Sequence, residues 1–273
     1  VGLYGQQSWF RHVEFFGVLL RLIALMAPLY WEKGRVCWRM PFSGLIGRRA
    51  ESTSLVLFVI FMLASTAFDG LHSTSAWVAL FWADPLNLMT PLLGNPPVYF
   101  YGLMRPWYTV FDVAGLLLSP LLYFAVFWVF TVCAKAVAGS TLPVSLLLQR
   151  MVFSLLPIAL VYHVTHYYTL IFSQGVKVVA LASDPFGWGW DLFGTVGWFS
   201  SPWLPDMKWV WHTQVGLIVF GHLVSVYVAH REALSVFPTL RQATLSQLPM
   251  LGLMMAFTAS GLWILAQPIS GAG

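Results

Sequence analysis

Charge is scarce in this chain: only 9% of its 273 residues are Asp, Glu, Lys or Arg, where a soluble domain carries about a quarter. That shortage excludes an ordinary soluble fold. Cysteine is scarcer still, with Cys37 and Cys133 alone, in no CxxC or CxxCH arrangement. Thiolate metal clusters and covalently attached haem are therefore excluded, and any metal must be held by His, Asp or Glu. Internal repeats and low-complexity tracts are also missing. The formal net charge of +4 does not point to nucleic acid, because the basic residues fall between apolar stretches rather than along one face.

What the chain has in abundance is apolar and aromatic surface, at 59% hydrophobic and 16% Phe, Trp and Tyr. The composition predicts an all-α integral membrane protein, a single transmembrane domain over residues 1–273 whose first partner is the lipid bilayer. The chain begins at Val1 rather than Met, which suggests a processed end or a piece of something longer, and no cleavable signal pattern is visible.

Crossing a bilayer takes roughly 20 apolar residues, and six stretches qualify, near 12–30, 52–68, 111–134, 150–174, 209–230 and 245–267. The first carries Glu14 and Arg21, so an interfacial helix is its competing reading. Lys and Arg then orient the bundle, since they accumulate in short cytoplasmic connections. Nine of the 14 fall in the connections 31–51, 135–150 and 231–244: Lys33, Arg35, Arg39, Arg48, Arg49, Lys135, Arg150, Arg231 and Arg241. Six crossings put both termini on the non-cytoplasmic side, with the bacterial inner membrane as the expected location. The outward connections, 69–110 and 175–208, are long, poor in charge and rich in Trp, including Trp77, Trp82, Trp107, Trp188, Trp190, Trp198 and Trp203. They are expected to cap the bundle, with no obvious secondary structure of their own.

The candidate chemistry lies in the histidines. His163 and His166 interrupt a 26-residue stretch, Met151 to Val176, that holds no charged residue. Polar titratable groups in lipid usually mark a metal, a cofactor, a proton path or a substrate site. At about 1.5 Å of rise per residue, His163 lies near the midplane, His166 a turn nearer the outer face, and His212 close to the outer surface. Asp69 and His72 close the second helix on that side. Residues three apart share a helix face, so Asp69 with His72 and His163 with His166 form two pairs. Together with His212 they predict a nitrogen- and oxygen-rich pocket suited to a transition metal, Zn, Cu or Fe. His163, His166, His212 and His72 are the expected metal ligands, with Asp69 as a further ligand, an orienting group or a general base.

Competing readings attach to each residue. A histidine inside a membrane helix often just bonds to a neighbouring hydroxyl or carbonyl. His72 can be an ordinary loop residue, His12 an interfacial one, and His230 sits beside Arg231. Asp112 is read as opening the third helix, where the macrodipole favours its charge, or as a second catalytic carboxylate with Asp69. His222 lies ten residues from His212, too far along the helix to share a small metal site. It could instead face His163 across the bundle, as a haem b axial pair, a quinone site or a proton relay.

Three groups of residues resemble a family of bacterial polytopic membrane proteins, some labelled fenitrothion hydrolases: Tyr162 to Tyr168; Ser183-Asp184-Pro185-Phe186-Gly187 with Asp191-Leu192-Phe193-Gly194; and Gln214, Gly221-His222 and Ala229-His230. The resemblance covers roughly residues 150 to 235. It implies hydrolysis of an organophosphate ester, and it draws attention to His166, Asp184, Gln214 and His222. Gln214 accordingly joins His222 as an expected cofactor-binding residue. Function is thus expected to be that of a membrane-embedded metalloenzyme, hydrolase or oxidase, with a His/Asp site near the outer leaflet. The alternatives are a haem- or quinone-binding or accessory subunit that packs on other membrane subunits, and a proton-coupled transporter.

Overall fold

Ten residues are all the helix that forms where the first crossing is expected. In the computed structural model, which describes residues 2, 5–198 and 205–267, α1 (Gln6–His12) and α2 (Phe15–Ala24) lead into a hairpin of β1 (Leu29–Glu32) and β2 (Arg35–Trp38). Capping at both ends keeps α2 short. The Glu14 carboxylate accepts from the backbone N–H groups of Phe16 and Gly17, so the helix starts just after it. At the other end the Arg39 guanidinium reaches back to the carbonyls of Ala24 (2.6 Å) and Ala27 (2.9 Å), satisfying groups that a longer helix would have used itself. Val18 and Leu22 are buried while Phe15, Phe16 and Leu20 are exposed, the division of faces found in helices that lie along a membrane surface.

Five helical segments among the described residues are long and apolar enough to cross a membrane. The first is α3 (Thr53–His72), capped by Ser52, whose hydroxyl accepts from Leu55 N at 3.2 Å. After α4 (Ser75–Trp82) and the single turn α5 (Thr90–Leu93) comes the second, α6 (Tyr101–Ala138). Gly139, at φ 60°, ends it in a left-handed cap. The third crossing, Val144–His166, joins α7 (Val144–Met151), a 3-10 turn and α8 (Leu156–His166). It stops at His166 instead of running on to 174. α9 (Tyr168–Leu170), a π-helical turn over Ile171–Gly175 and α10 (Lys177–Ser183) follow. α11 (Met207–Val236) and α12 (Leu240–Ala266) complete the bundle.

Two expectations about the outward connections change with these boundaries. Both connections contain helix: α4, α5 and the start of α6 in one, α10 in the other. At 38 residues, or about 57 Å, α6 is longer than the roughly 30 Å hydrocarbon core, and its first turns run beside α4. There its aromatic residues pack on α4: Trp77 stacks on Phe111 with ring centroids 4.5 Å apart, and Trp82 on Tyr101 at 5.0 Å. Many of the tryptophans therefore pack on other aromatic rings; Trp203 lies outside the described residues.

Between α4 and α5 the chain turns on Asp84, which is almost fully buried. Desolvation would raise its carboxyl, but hydrogen bonds from the Thr90 hydroxyl (2.7 Å) and from the backbone of Thr90 (2.6 Å), Leu88 and Met89 (both 2.9 Å) outweigh it and hold the group at about 2. A depressed carboxyl contributes stability above its ordinary value, near 3.8, that is lost as pH falls through 2. Hydrogen exchange at the Leu88, Met89 and Thr90 amides is expected to accelerate between pH 4 and 2 in the wild type. An Asp84→Asn variant should show weaker protection at neutral pH and no such transition.

At the end of the bundle where α3 begins, the N-terminal segment docks onto it. Glu232, 2% exposed, accepts from Gly47 N (2.9 Å) and from Arg150 Nη1 (3.1 Å), and Ala50 N donates to Gln149 O (2.8 Å). Higher in the bundle α8 and α11 approach closely at Gly221, where a Cβ would overlap Val161 Cγ2 and lie 2.9 Å from Cγ1. Only glycine fits there.

Candidate functional site

The helix pairing that the spacing suggests is present between α3 and α8. Because both segments rise through the bundle in the same direction, residues 97 positions apart face each other at two levels. At the deeper level the His163 ring donates from Nδ1 to its own helix at Ala159 O (2.8 Å), which leaves Nε2 to accept from the Thr66 hydroxyl (2.9 Å). At the shallower level His166 Nε2 donates to Asp69 Oδ2 at 2.6 Å. The break in α8 after His166 turns the next residue back toward the same carboxylate, and the Tyr167 hydroxyl donates to Oδ2 at 3.2 Å. Partial burial and the nearby Asp69 charge push the Tyr167 phenol up from its ordinary value, so it stays a donor.

The other oxygen of Asp69 is left for His72, whose Nε2 lies 3.4 Å from Oδ1. α3 continues through Gly70 as the pairing requires, and His72 is its last residue, stacked on Phe68. Across the gap stands Asp112. It does not open a helix: α6 begins eleven residues earlier, and the Asp112 carboxylate instead accepts from Trp77 Nε1 at 2.7 Å. That bond ties α4 to α6.

Thr66, Asp69, His72, Asp112, His163 and Tyr167 together line one cleft of about 890 Å³, part of it open to the outside. His166 supports the cleft from behind through Asp69. On the far side of Phe68 runs an apolar groove of about 770 Å³, walled by α3, α6 and the outer part of α12. Gly115 makes room for that wall, since a Cβ there would lie 2.7 Å from Phe68 Cε2 and 2.8 Å from Trp77 Cη2.

The remaining expected site residues are elsewhere. His212 is exposed and donates to its own helix at Lys208 O (2.6 Å); it does not join the pocket expected of it. Gln214 Nε2 donates to Thr165 O (2.8 Å), fastening α11 to the end of α8. Asp184 accepts from the backbone of Trp188 (2.9 Å) and Gly189 (2.8 Å), a turn-forming role. His222 donates to Ile218 O (2.7 Å), and its Nε2 has no hydrogen-bond partner among the described residues. It lines a small cavity with Tyr123, Tyr162 and Ser260, separate from the cleft that His163 lines. The two rings therefore line different cavities. Among the described residues no cluster of three or more His, Cys, Asp or Glu side chains is arranged to hold a metal ion.

Sequence reasoning passed over Thr66, Tyr167 and Trp77. Tyr167 stood beside His166 in the quoted Tyr- and His-rich run, but only the helix break aims it at Asp69. Thr66 lies three residues before Asp69, the same interval that separates His163 from His166, so the ladder was available to an i, i+3 reading of α3. The chain matches no family model, no curated protein and no solved structure.

Proposed function

We propose that the chain is a membrane-embedded hydrolase whose cleft, opening on the non-cytoplasmic side, activates water on Asp69 against an apolar ester. The observation that carries the reading is the division of labour on one carboxylate. Oδ2 is held by His166 and Tyr167 while Oδ1 points at His72 within the cleft. A carboxylate held this way keeps its orientation, and orientation is what a general base needs. Oδ1 would take a proton from water as the water oxygen attacks the ester centre and the alkoxide or aryloxide leaves, with His72 next to it to pass the proton on. The groove beyond Phe68 suits a substrate that reaches the cleft from lipid. An organophosphate triester, the substrate class implied by the resemblance to fenitrothion-hydrolase-labelled proteins, is neutral and apolar enough to do so.

A second reading is favoured by Asp69 meeting the Nε2 atoms of both His72 and His166. Those three residues would be the donors to Zn, Cu or Fe once His166 gives up its hydrogen bond to Asp69 and the rings turn to a common centre. Such a metal would supply a water activated at neutral pH in a hydrolase, or oxygen chemistry in an oxidase. His163, satisfied by Thr66 and Ala159, and His212 stay outside this ligand set.

Topology follows the basic residues. With five crossings and α2 along the surface, the positive-inside reading has the Arg-rich segment before α3 cytoplasmic and the end of α12 on the opposite side, which would part the two termini. In a bacterial cell this is the inner membrane, with the cleft facing outward.

The test is release of nitrophenol from fenitrothion by purified protein in lipid nanodiscs, with elemental analysis of the same sample. Asp69→Asn should lower turnover by about 10² to 10⁴ while leaving the purified protein monodisperse. Turnover at the wild-type rate in that variant, or none in the wild type, rules the hydrolase out. Stoichiometric metal that disappears in His166→Ala and His72→Ala selects the second reading.

A further inference from the structure

The inner face of the molecule carries a second site, independent of the chemistry at Asp69. Three guanidiniums, Arg21 from the last turn of α2 and Arg48 and Arg49 from the segment before α3, surround a pocket of about 780 Å³ with Glu51 as its one carboxylate. All three arginines are exposed, and among the described residues none of them has an ion pair or a hydrogen bond through its side chain. The rest of the wall is apolar: Leu22 and Leu25 of α2, Leu55 in the first turn of α3, and Phe153 at the inner part of the third crossing. Cationic at the rim and hydrocarbon inside, the pocket has the two halves of an amphiphile.

Its place in the membrane narrows the ligand. α2 buries Val18 and Leu22 against the bundle and turns Phe16 (65% exposed) and Leu20 (61%) outward, so it lies at the level where headgroups meet acyl chains. This is also the face toward which nine of the 14 basic residues are collected, and the cytoplasmic leaflet is the one whose anionic lipids draw such clusters. Guanidiniums match phosphate in charge and geometry, each offering two parallel N–H donors to two oxygens.

We propose that this pocket binds the phosphate head of an anionic phospholipid from the cytoplasmic leaflet, with an acyl chain lying against Leu25, Leu55 and Phe153. The bound lipid would fill the angle between α2 and α3 and bridge the N-terminal segment to the bundle.

The experiment is native mass spectrometry of the full chain released from nanodiscs of phosphatidylcholine containing a graded fraction of phosphatidylglycerol. Wild-type protein should retain phosphatidylglycerol in preference to phosphatidylcholine. Each of Arg21→Gln, Arg48→Gln and Arg49→Gln should lower that preference by about fivefold, and the three together by on the order of a hundredfold. Arg231→Gln with Arg241→Gln removes two charges from the same face outside the pocket and should leave the preference within about twofold of the wild type. The single variants keep the test open should the triple variant aggregate. Undiminished retention in the single or triple variants overturns the proposal. So does equal loss in the Arg231/Arg241 control, which would mean a diffuse surface field, or displacement of the lipid by millimolar inorganic phosphate, which would mean a site for a free anion.

Discussion

Arg150→Met should be the most damaging single substitution in the chain, lowering unfolding stability by about 3–5 kcal/mol. The reason is what it leaves behind. Glu232 is 2% exposed, and its carboxylate is held by Arg150 Nη1 and the Gly47 N–H. Without the guanidinium a buried anion keeps one neutral donor, and dehydrating an unpaired charge is far more expensive than losing an attraction. Glu232→Leu should cost less, because Arg150 is 30% exposed and can turn to water. The double variant Arg150→Met/Glu232→Leu should recover most of the loss. Unfolding in mixed micelles followed by circular dichroism measures all three. An Arg150→Met loss under about 0.5 kcal/mol would place the pair among the weak surface contacts.

Gly221→Ala should be nearly as harmful, by about 2–3 kcal/mol, the upper part of the range for overpacking a filled interior. The added methyl would overlap Val161 Cγ2 and stand 2.9 Å from Cγ1 and 3.1 Å from Cβ. Rotating the valine away is costly, because a β-branched side chain in a helix has one strongly preferred χ1 rotamer, so α8 and α11 must separate. That displacement would reach the cleft, since α8 carries His163 and His166. Val161→Ala in the same chain supplies the missing space, and the pair should return to within about 1 kcal/mol of wild type. A Gly221→Ala protein as stable as the wild type, in the same micelle unfolding, would show that the helices do not meet this closely.

The crossings were legible because an apolar length without charge is a property of local sequence. So were the two polar pairs, since the three-residue interval is itself the helix geometry. The first crossing was misread because what shortens α2 is remote: Arg39 lies 15 residues beyond the Ala24 carbonyl that it satisfies, and no window over residues 12–30 contains it. Asp112 was misplaced because residues 69–110 read as a connection without secondary structure, whereas α6 begins at Tyr101 and keeps Pro106 inside its second turn. His212 illustrates a different limit. Depth along a helix follows from counting residues, but the direction a ring faces depends on how the helix is rotated against its neighbours. His212 is exposed and turned to its own helix, away from the cleft. Tyr167 could be placed only after the break in α8 was seen.

The ladder between α3 and α8 also sorts its groups by solvation demand. Thr66, a neutral hydroxyl only 2% exposed, occupies the rung farther from water, whereas the Asp69 side chain, 43% exposed, occupies the rung nearer the mouth. A formal charge is thus kept where hydration can still reach it, and the interior rung carries dipoles alone. Polarity therefore rises along the cleft from floor to opening, so a molecule that enters meets the carboxylate before it reaches the neutral rung of Thr66 and His163.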